Sequence, residues 1–282
     1  MTEQKIGILC DSGANLSPEM QAGHHIAVVP LQINFSDRSY SDGVDLAPDE
    51  IYTMMEAELP KSSLPKSADI HAAFDELKSH GCTQILFITI SSGLSGCFQL
   101  ATLLASEYKE LPVTVFDSKT LSCGEQILVL EAVRAVEEGC GLEETIARIS
   151  ALRKKTSASF VVKTLEYLAK GGRIGKVAGK VGSLLHLCPV IFVNDDGVYD
   201  TANKTIGFGR AVDLMVQEAS RKFRGKNVSV SIVHAKNELG ARAVLQKLRV
   251  FCNIVESAIV PVSAVLGIHT GPGLIGIIIY EV

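Results

Sequence analysis

The sequence lacks the features that mark secreted, membrane-spanning and nucleic-acid-binding proteins. It has no run of more than three lysine or arginine residues, its formal net charge is −4 and its pI is about 6.0. This balance argues against nucleic acid as the partner, because phosphate binding needs clustered positive charge. No apolar run approaches the ~20 residues of a membrane-spanning helix. Residues Met1–Lys5 lack the basic region and long apolar segment of a signal peptide. We therefore expect a cytoplasmic protein without stable membrane insertion.

The sequence also lacks the cysteine and histidine spacings of metal sites. Its seven cysteines are scattered and include no C-x-x-C pair. No pair of histidine and cysteine residues has the spacing of zinc ligands on either side of a turn. The cysteines are expected to act as small hydrophobic residues in a reducing compartment. We expect no metal.

Strand-like and helix-like segments alternate in the first half of the chain. The apolar runs of strand length are 5–10, 26–35, 84–90 and 112–116. The segments with helical spacing are 95–108, 125–138 and 142–155. Strands separated by helices of this length favour a largely parallel sheet that is covered on both faces. The sequence therefore predicts an N-terminal α/β domain with a Rossmann-like sheet, residues 1–156.

The pattern changes after residue 156. Asn194–Gly197 lies between the strand-like runs 190–193 and 198–201, and its composition is typical of a hairpin turn. Helical segments at 208–223 and 239–250 then alternate with short apolar runs. These features predict a C-terminal α+β domain with a mixed or antiparallel sheet, residues 157–282. The fold class is thus α/β with two domains, and the cleft between two such domains is a preferred ligand site.

Two glycine-rich segments resemble nucleotide loops but lack essential parts of them. Gly271–Gly276 matches GxGxxG, yet a β-branched run follows where the dinucleotide motif needs a helix. Gly171–Lys176 has one residue too few for a phosphate-binding loop, and Val177 replaces its Ser or Thr. We expect no cofactor. The C-terminal segment is instead interpreted as a histidine, His269, and a glycine-rich turn that lead into a buried terminal strand.

Two serine-rich segments are candidates for binding an anion. Ser91–Gly96 follows a buried strand and precedes a helix, where free amides and the Ser95 hydroxyl can bind an anion. The alternative is an ordinary helix cap. Lys61–Ser67 is interpreted as a second hydroxyl-rich loop, with Ser62 and Ser63, although a cap alone would explain it.

Two charged residues leave their roles open. Arg173 follows two glycines, and a guanidinium held by such a turn suits a carboxylate or phosphate. A solvated surface arginine is an equally good interpretation. Asp11 follows the first strand and can act as a base, a metal ligand or a turn former, of which the sequence favours the turn former.

Several segments together resemble the DegV family over nearly the whole chain. These segments are CDSGANLS, SSLPKS, ISSGLSG, LEYLAKGGRIG, GSLLHLCPV and HTGPG. The resemblance implies one long-chain fatty acid enclosed between the two domains. It implies that Ser62, with Ser63 adjacent, and Ser95 bind the carboxylate, with His269 at the same end. It also implies a head-group or kinase-docking role for Arg173.

The fatty-acid-binding members of this family include the carrier subunit of bacterial fatty acid kinase. The resemblance therefore implies a lipid-binding protein, not an enzyme, that presents the carboxylate to a separate kinase subunit. Burying a tail of about fifteen methylenes, at ~0.8 kcal/mol each, would dominate the affinity. The alternative is an acyl- or phospho-transfer enzyme that uses Asp11, Ser95 and His269. A nucleophile elbow is excluded because Cys97 stands where G-x-S-x-G needs its last glycine.

Overall fold

The computed structural model describes residues 5–21, 24, 26–181 and 187–282. The strands are β1 Ile6–Asp11, β2 Ile26–Val29, β3 Gln32–Asn34, β4 Ser39–Ser41, β5 Lys61–Ser63, β6 Gln84–Thr89, β7 Val113–Asp117, β8 Thr156–Val161, β9 Leu187–Val193, β10 Tyr199–Ile206, β11 Asn227–His234, β12 Asn253–Pro261 and β13 Ile275–Glu281. The helices are α1 Pro18–Gln21, α2 Glu50–Met54, α3 Ser67–Ser79, α4 Cys97–Glu107, α5 Cys123–Glu137, α6 Leu142–Lys155, α7 Glu166–Lys170, α8 Gly175–Val181, α9 Phe208–Phe223, α10 Glu238–Arg249 and α11 Ala264–Thr270.

The chain forms two compact units. The first contains Met1–Asp45 and Ser62–Lys154, and the second contains Leu46–Lys61 and Lys155–Val282. The predicted division into contiguous domains, 1–156 and 157–282, stays a prediction. The compact units differ from it mainly in the segment 46–61, which carries α2.

The first unit is built on a four-stranded parallel sheet in the order β2-β1-β6-β7. Its two central strands are almost fully buried, as expected for strands whose near-continuous apolar runs are covered on both faces. One apolar cluster includes side chains of α3 and α4, and a second includes side chains of α5 and α6. The predicted α/β architecture is confirmed.

Two local predictions in the first unit were wrong. The predicted strand 26–35 is two strands, β2 and β3, interrupted at Pro30, which has no N–H to donate to a strand ladder. β3 belongs instead to a small sheet of order β4-β3-β5. The predicted loop Lys61–Ser67 begins as strand β5 and ends in α3, whose N-cap residue is Lys66.

The second unit contains a six-stranded mixed sheet in the order β10-β9-β8-β13-β11-β12. The hairpin between β9 and β10 is confirmed, because Val193 pairs with Tyr199 in an antiparallel register. Its turn is held by the Asn194 side chain, which accepts hydrogen bonds from the amides of Asp196 (3.0 Å) and Val198 (3.1 Å). Helices α9 and α10 share an apolar core with this sheet.

The C-terminal segment is partly as predicted. β13 is a buried strand that pairs with both β8 and β11, so the expected terminal strand is confirmed. His269 lies in the last turn of α11, directly before the glycine-rich turn, and this short helix is an element that the sequence did not predict. Gly271, at φ +69°, ends this helix and starts the turn that follows.

Three further sequence features concern the cysteines, membrane-spanning segments and the GSLLHLCPV motif. All seven cysteines are free, as expected for reduced thiols. Within the described ranges, no helix has the length and apolarity needed to cross a membrane. The first five residues of the GSLLHLCPV segment, 182–186, lie outside the described residues.

Candidate ligand-binding residues

The segment Ser91–Gly96 is a tight turn fixed at several points. The carbonyl oxygen of Ser91 accepts hydrogen bonds from the amides of Leu94 (3.0 Å) and Ser95 (3.1 Å). The amide of Ser92 donates to the Asp117 carboxylate at 3.1 Å. The turn follows β6 at the carboxyl end of the parallel sheet, the edge at which open α/β folds bind ligands.

Ser95 is half-buried, and its hydroxyl serves the helix that follows. Its Oγ accepts a hydrogen bond from the Cys97 amide at 3.2 Å, at the first residue of α4. The N-cap residue of α4 is Gly96, which makes no side-chain cap bond, so the Ser95 bond is a local turn contact just before the helix and the helix-cap alternative is wrong. The same bond orients the side chain while leaving its O–H able to donate, since a hydroxyl accepts through its lone pairs. This local contact and ligand binding are compatible at Ser95.

Asp11 holds the two ends of the Ser91–Gly96 turn, through hydrogen bonds with Ile90 before it and Cys97 after it. Its carboxylate accepts hydrogen bonds from the amides of Gly13 (2.9 Å) and Ile90 (2.8 Å) and is hydrogen-bonded by the Cys97 thiol. Burial raises the pKa of Asp11 to about 6, although these hydrogen bonds oppose the rise. Asp11 caps the short helical turn Ser12–Ala14, which is the turn-forming role that the sequence favoured.

The structure separates Ser62 from Ser63 by side-chain direction. Both lie on β5, where neighbouring side chains point to opposite faces. Ser63 is exposed, and its Oγ accepts a hydrogen bond from the Asn34 side chain at 2.9 Å. Ser62 is half-buried. The two hydroxyls therefore lie on opposite faces of the small sheet.

The two serine segments lie next to each other in the first unit. A Cβ added at Gly96 would lie 3.6 Å from a methyl carbon of Leu64, which is ordinary van der Waals contact. The end of β5 therefore packs against the start of α4. The Ser62 and Ser95 segments, 33 residues apart in sequence, belong to one local surface.

Arg173 and His269 lie close together in the second unit. Helix α7 ends at Gly171 and the chain turns through Gly172 at φ +71°. The Arg173 guanidinium then donates to the Gly171 carbonyl oxygen at 2.8 Å. A Cβ added at Gly171 would overlap the His269 Nδ1 atom, so the imidazole packs directly on this glycine.

The environment of His269 keeps its imidazole neutral. Burial, with a further contribution from the positive charge of Arg173, lowers the pKa of His269 to about 4. Near pH 7 the ring therefore has one N–H donor and one acceptor nitrogen. A neutral donor beside a fixed guanidinium can bind a carboxylate without an acid–base step.

Two parts of the site were missed from the sequence. Lys119, at φ +52°, bridges the Asp117 carboxylate and the Ser92 hydroxyl, each at 2.9 Å from its Nζ. The sequence feature that could have revealed Lys119 is Asp117, an acidic residue at the end of strand β7 and two positions before the lysine. Tyr167 packs against Gly271, where an added Cβ would overlap the ring. The LEYLAKGGRIG motif contains this tyrosine, but the motif was interpreted only as a helix end.

The described residues contain no group of three or more His, Cys, Asp or Glu side chains arranged to hold a metal ion. The side-chain groups proposed to bind a ligand are hydroxyls, one neutral imidazole and one guanidinium. This donor set suits an organic anion whose charge is met by hydrogen bonds.

Comparison with known proteins identifies relatives over nearly the full length. A DegV domain-containing protein of Clostridium acetobutylicum is 35% identical over 282 residues, which cover 99% of both chains. A fatty-acid-binding DegV family protein from Thermus thermophilus has a TM-score of 0.89 at 31% identity, covering 99% of this chain and 100% of that one. A stearic acid-binding protein from Eubacterium ventriosum has a TM-score of 0.84 at 27% identity, covering 98% of both.

The matching family model has the description "Uncharacterised protein, DegV family", and it covers residues 5–282. The solved relatives that bind fatty acids share the fold over almost the whole chain. The chain belongs to the DegV family.

Proposed function

We propose that this protein binds one long-chain fatty acid and presents its carboxylate to a separate fatty acid kinase subunit. Ser62 and Ser95 donate hydrogen bonds to the carboxylate, with His269 at the same end and Arg173 near the head group or the kinase. The position of the acid between the two domains, expected from the family resemblance, is part of this proposal. The chain acts as a carrier and not as the catalyst.

The observation that carries this proposal is the full-length likeness to fatty-acid-binding relatives, including the stearic acid-binding protein. The site residues support it chemically. Ser95 is oriented by a hydrogen bond that leaves its O–H able to donate, and His269 is neutral near pH 7. A bound carboxylate would thus meet uncharged donors, each contributing about 1.5–3 kcal/mol as a charge-assisted hydrogen bond.

The binding free energy is divided unequally between the acyl tail and the carboxylate. This division explains how a carrier can present the carboxylate to another protein while it keeps the tail bound. Burying about fifteen methylenes contributes on the order of 10 kcal/mol before the costs of binding. The tail therefore supplies most of the affinity. Hydrogen bonds from serine and histidine fix the orientation of the carboxylate and can be exchanged during phosphoryl transfer without loss of the tail contacts.

The role of Asp11 separates the carrier from the enzyme alternative. An acid–base role would require a carboxylate that is free to exchange protons with a substrate. Both Asp11 oxygens instead accept backbone hydrogen bonds that hold the first-unit loops. Asp11 is therefore assigned to support of the Ser95 turn.

Acyl phosphate formation tests the presentation step. The palmitate-loaded chain is mixed with ATP and a bacterial fatty acid kinase catalytic subunit, and acyl phosphate is captured with hydroxylamine. A carboxylate oxygen attacks the γ-phosphorus, and ADP leaves. We expect product only when both proteins are present. Product formed by this chain with ATP alone would support the enzyme alternative, and no product in the complete mixture would contradict presentation to that kinase.

A further inference from the structure

Strand β8 places two serines on the sheet face that packs against α9. Ser159 pairs with Ile277 of β13 and with Phe192 of β9, and Ser157 pairs with Ile279. Paired residues share a face of the sheet. Ile277 and Ile279 belong to the core that includes α9, so both serines face the same side as this helix.

The apolar face resumes one step along the strand. Val161, the next residue of β8 on this face, pairs with Ile275, and both are in the core. The serines therefore create a local gap because a hydroxymethyl group fills less space than the isoleucines beside it. Closely packed cores contain few such gaps.

A cavity of about 470 Å³ lies at this gap, and we call it the α9 cavity. Its volume falls within the range of small-molecule sites, roughly 300–1,000 Å³. The residues that line it are Ser157, Ser159, Val190, Phe192, Glu218, Ala219, Arg221, Lys222 and Ile279. The sheet contributes two hydroxyls and apolar side chains to this lining, and the last turns of α9 contribute charged groups.

The polar groups of the α9 cavity favour an anion. Arg221 and Lys222 contribute two positive charges against the single carboxylate of Glu218, which also accepts a hydrogen bond from Asn203. The Lys222 ammonium lies over the Phe223 ring, 5.4 Å from its centroid, so Arg221 is the cation assigned to a ligand. Ser157 and Ser159 are half-buried and place two hydroxyls on the lining of the cavity. Two hydroxyl donors beside two cations match a carboxylate head group.

We propose that the α9 cavity is a second ligand site that takes a small amphipathic carboxylate, of the class of medium-chain acids. The carboxylate binds to the two serine hydroxyls and Arg221, and the short apolar body packs on Phe192 and Ile279. The residues that line the α9 cavity include none of the head-group residues of the proposed function.

Octanoate is the probe, and the chain is first saturated with palmitate so that a long-chain site is occupied. Calorimetric titration is expected to show one further octanoate bound per chain. Acetate has the head group without the apolar body, and octan-1-ol has the body without the charge. Both are expected to bind at least about 10-fold more weakly, because each lacks one half of the contacts. Absence of saturable octanoate binding, or equal binding of acetate, would overturn the proposal.

Two variants locate the site. Ser159→Val fills the gap and removes a donor, and we expect it to lower octanoate affinity at least about 10-fold. Arg221→Gln, on the exposed rim, is expected to lower octanoate affinity several-fold. Ser257→Val makes the same change on β12, outside the cavity, and should leave octanoate affinity unchanged. Circular dichroism checks that each variant is folded. Unchanged affinity in both Ser159→Val and Arg221→Gln would contradict the assignment.

The result is independent of the long-chain proposal. Octanoate binding that is lost in Ser159→Val but kept in Ser95→Ala supports the α9 cavity even if palmitate fails to bind. Octanoate binding lost in Ser95→Ala and kept in Ser159→Val would assign octanoate to the proposed long-chain site and overturn this inference.

Discussion

The imidazole of His269 packs directly against the backbone of Gly171, so tightly that a Cβ at this glycine would overlap its Nδ1 atom. The two residues are 98 positions apart in sequence, in the two motifs GGR and HTGPG. The contact fixes the ring beside Arg173, whose charge helps to keep it neutral. The glycine is thus a positioning residue for the proposed head-group ligand.

Gly171→Ala should displace His269 and weaken fatty-acid binding. Gly171 has helical φ and ψ, so alanine causes no backbone strain. The expected loss comes mainly from the overlap with the ring, since the next neighbour, the Tyr167 carbonyl oxygen, lies 3.0 Å from the added carbon. We expect palmitate affinity to fall by about 10-fold, the equivalent of one lost hydrogen bond. Gly179→Ala in α8 is the matched control because no atom lies near the added carbon. Equal palmitate affinity in the two variants would remove this role from Gly171.

Ser95→Ala should lose both the local hydrogen bond from the Cys97 amide and the donor to the carboxylate. The unfolding free energy should fall by about 0.5–1.5 kcal/mol, the usual net contribution of one hydrogen bond. Palmitate affinity should fall roughly 10- to 100-fold. Ser95→Thr keeps the hydroxyl and should retain most of the affinity. Fluorescence competition and urea unfolding measure the two effects, and a stability loss without any affinity loss would leave Ser95 only its local turn contact.

The depressed pKa of His269 predicts an acid-sensitive contribution to stability. The unfolded histidine titrates near 6.5, whereas the folded one titrates near 4. Between these values the unfolded chain binds more protons, so the unfolding free energy falls as the pH drops from about 7 towards 4. When the pH falls from 7.5 to 5, the unfolding free energy of His269→Gln should decrease by about 1–2 kcal/mol less than that of the wild type. Parallel urea-unfolding profiles for the two proteins would contradict the assignment.

Glu125 predicts the opposite dependence in the first unit. It is fully buried, and neither carboxylate oxygen has a hydrogen-bond partner among the described residues. Burial, together with the charges of Asp11 and Asp117, raises its pKa well above the ordinary value. A folded group with a raised pKa binds more protons than the unfolded one, so its contribution weakens as the pH rises.

Glu125→Gln removes this titration without changing the side-chain shape. The difference in unfolding free energy, variant minus wild type, should therefore shift in favour of the variant between pH 5 and pH 8. The slope is the diagnostic quantity, since a buried amide without partners carries its own cost at every pH. The exposed Glu107→Gln serves as the control. A difference that stays constant with pH would show that Glu125 does not titrate as proposed.

The sequence revealed the elements whose signals are local and long. The parallel sheet follows from apolar runs such as 84–90, and the hairpin follows from the composition of Asn194–Gly197. The terminal strand followed from the β-branched run alone. In each case the pattern spans several residues and does not depend on distant partners.

The elements that were missed are short or depend on distant contacts. Helix α11 has only seven residues and a glycine inside it, although Ser263 before it and Gly271 after it are ordinary start and stop signals. The association of the segment 46–61 with the second unit depends on Tyr52, whose hydroxyl lies where a Cβ on Gly267 would be. No local pattern records such a contact.

The candidate residues were named from motifs, but their arrangement came from the structure. The sequence could not distinguish Ser62 from Ser63, because the segment was interpreted as a loop without strand alternation. It also gave no reason for the glycines before Arg173 beyond a helix end. The packing of His269 on Gly171 supplies that reason.

The proposed function requires that the protein carries one long-chain fatty acid. Native mass spectrometry of the purified chain, before and after delipidation and incubation with palmitate or oleate, tests this requirement. We expect a single added mass of one acyl chain per protein, saturable at one equivalent and diminished in Ser95→Ala. A purified protein with no acyl ligand that also fails to take up either acid would contradict it.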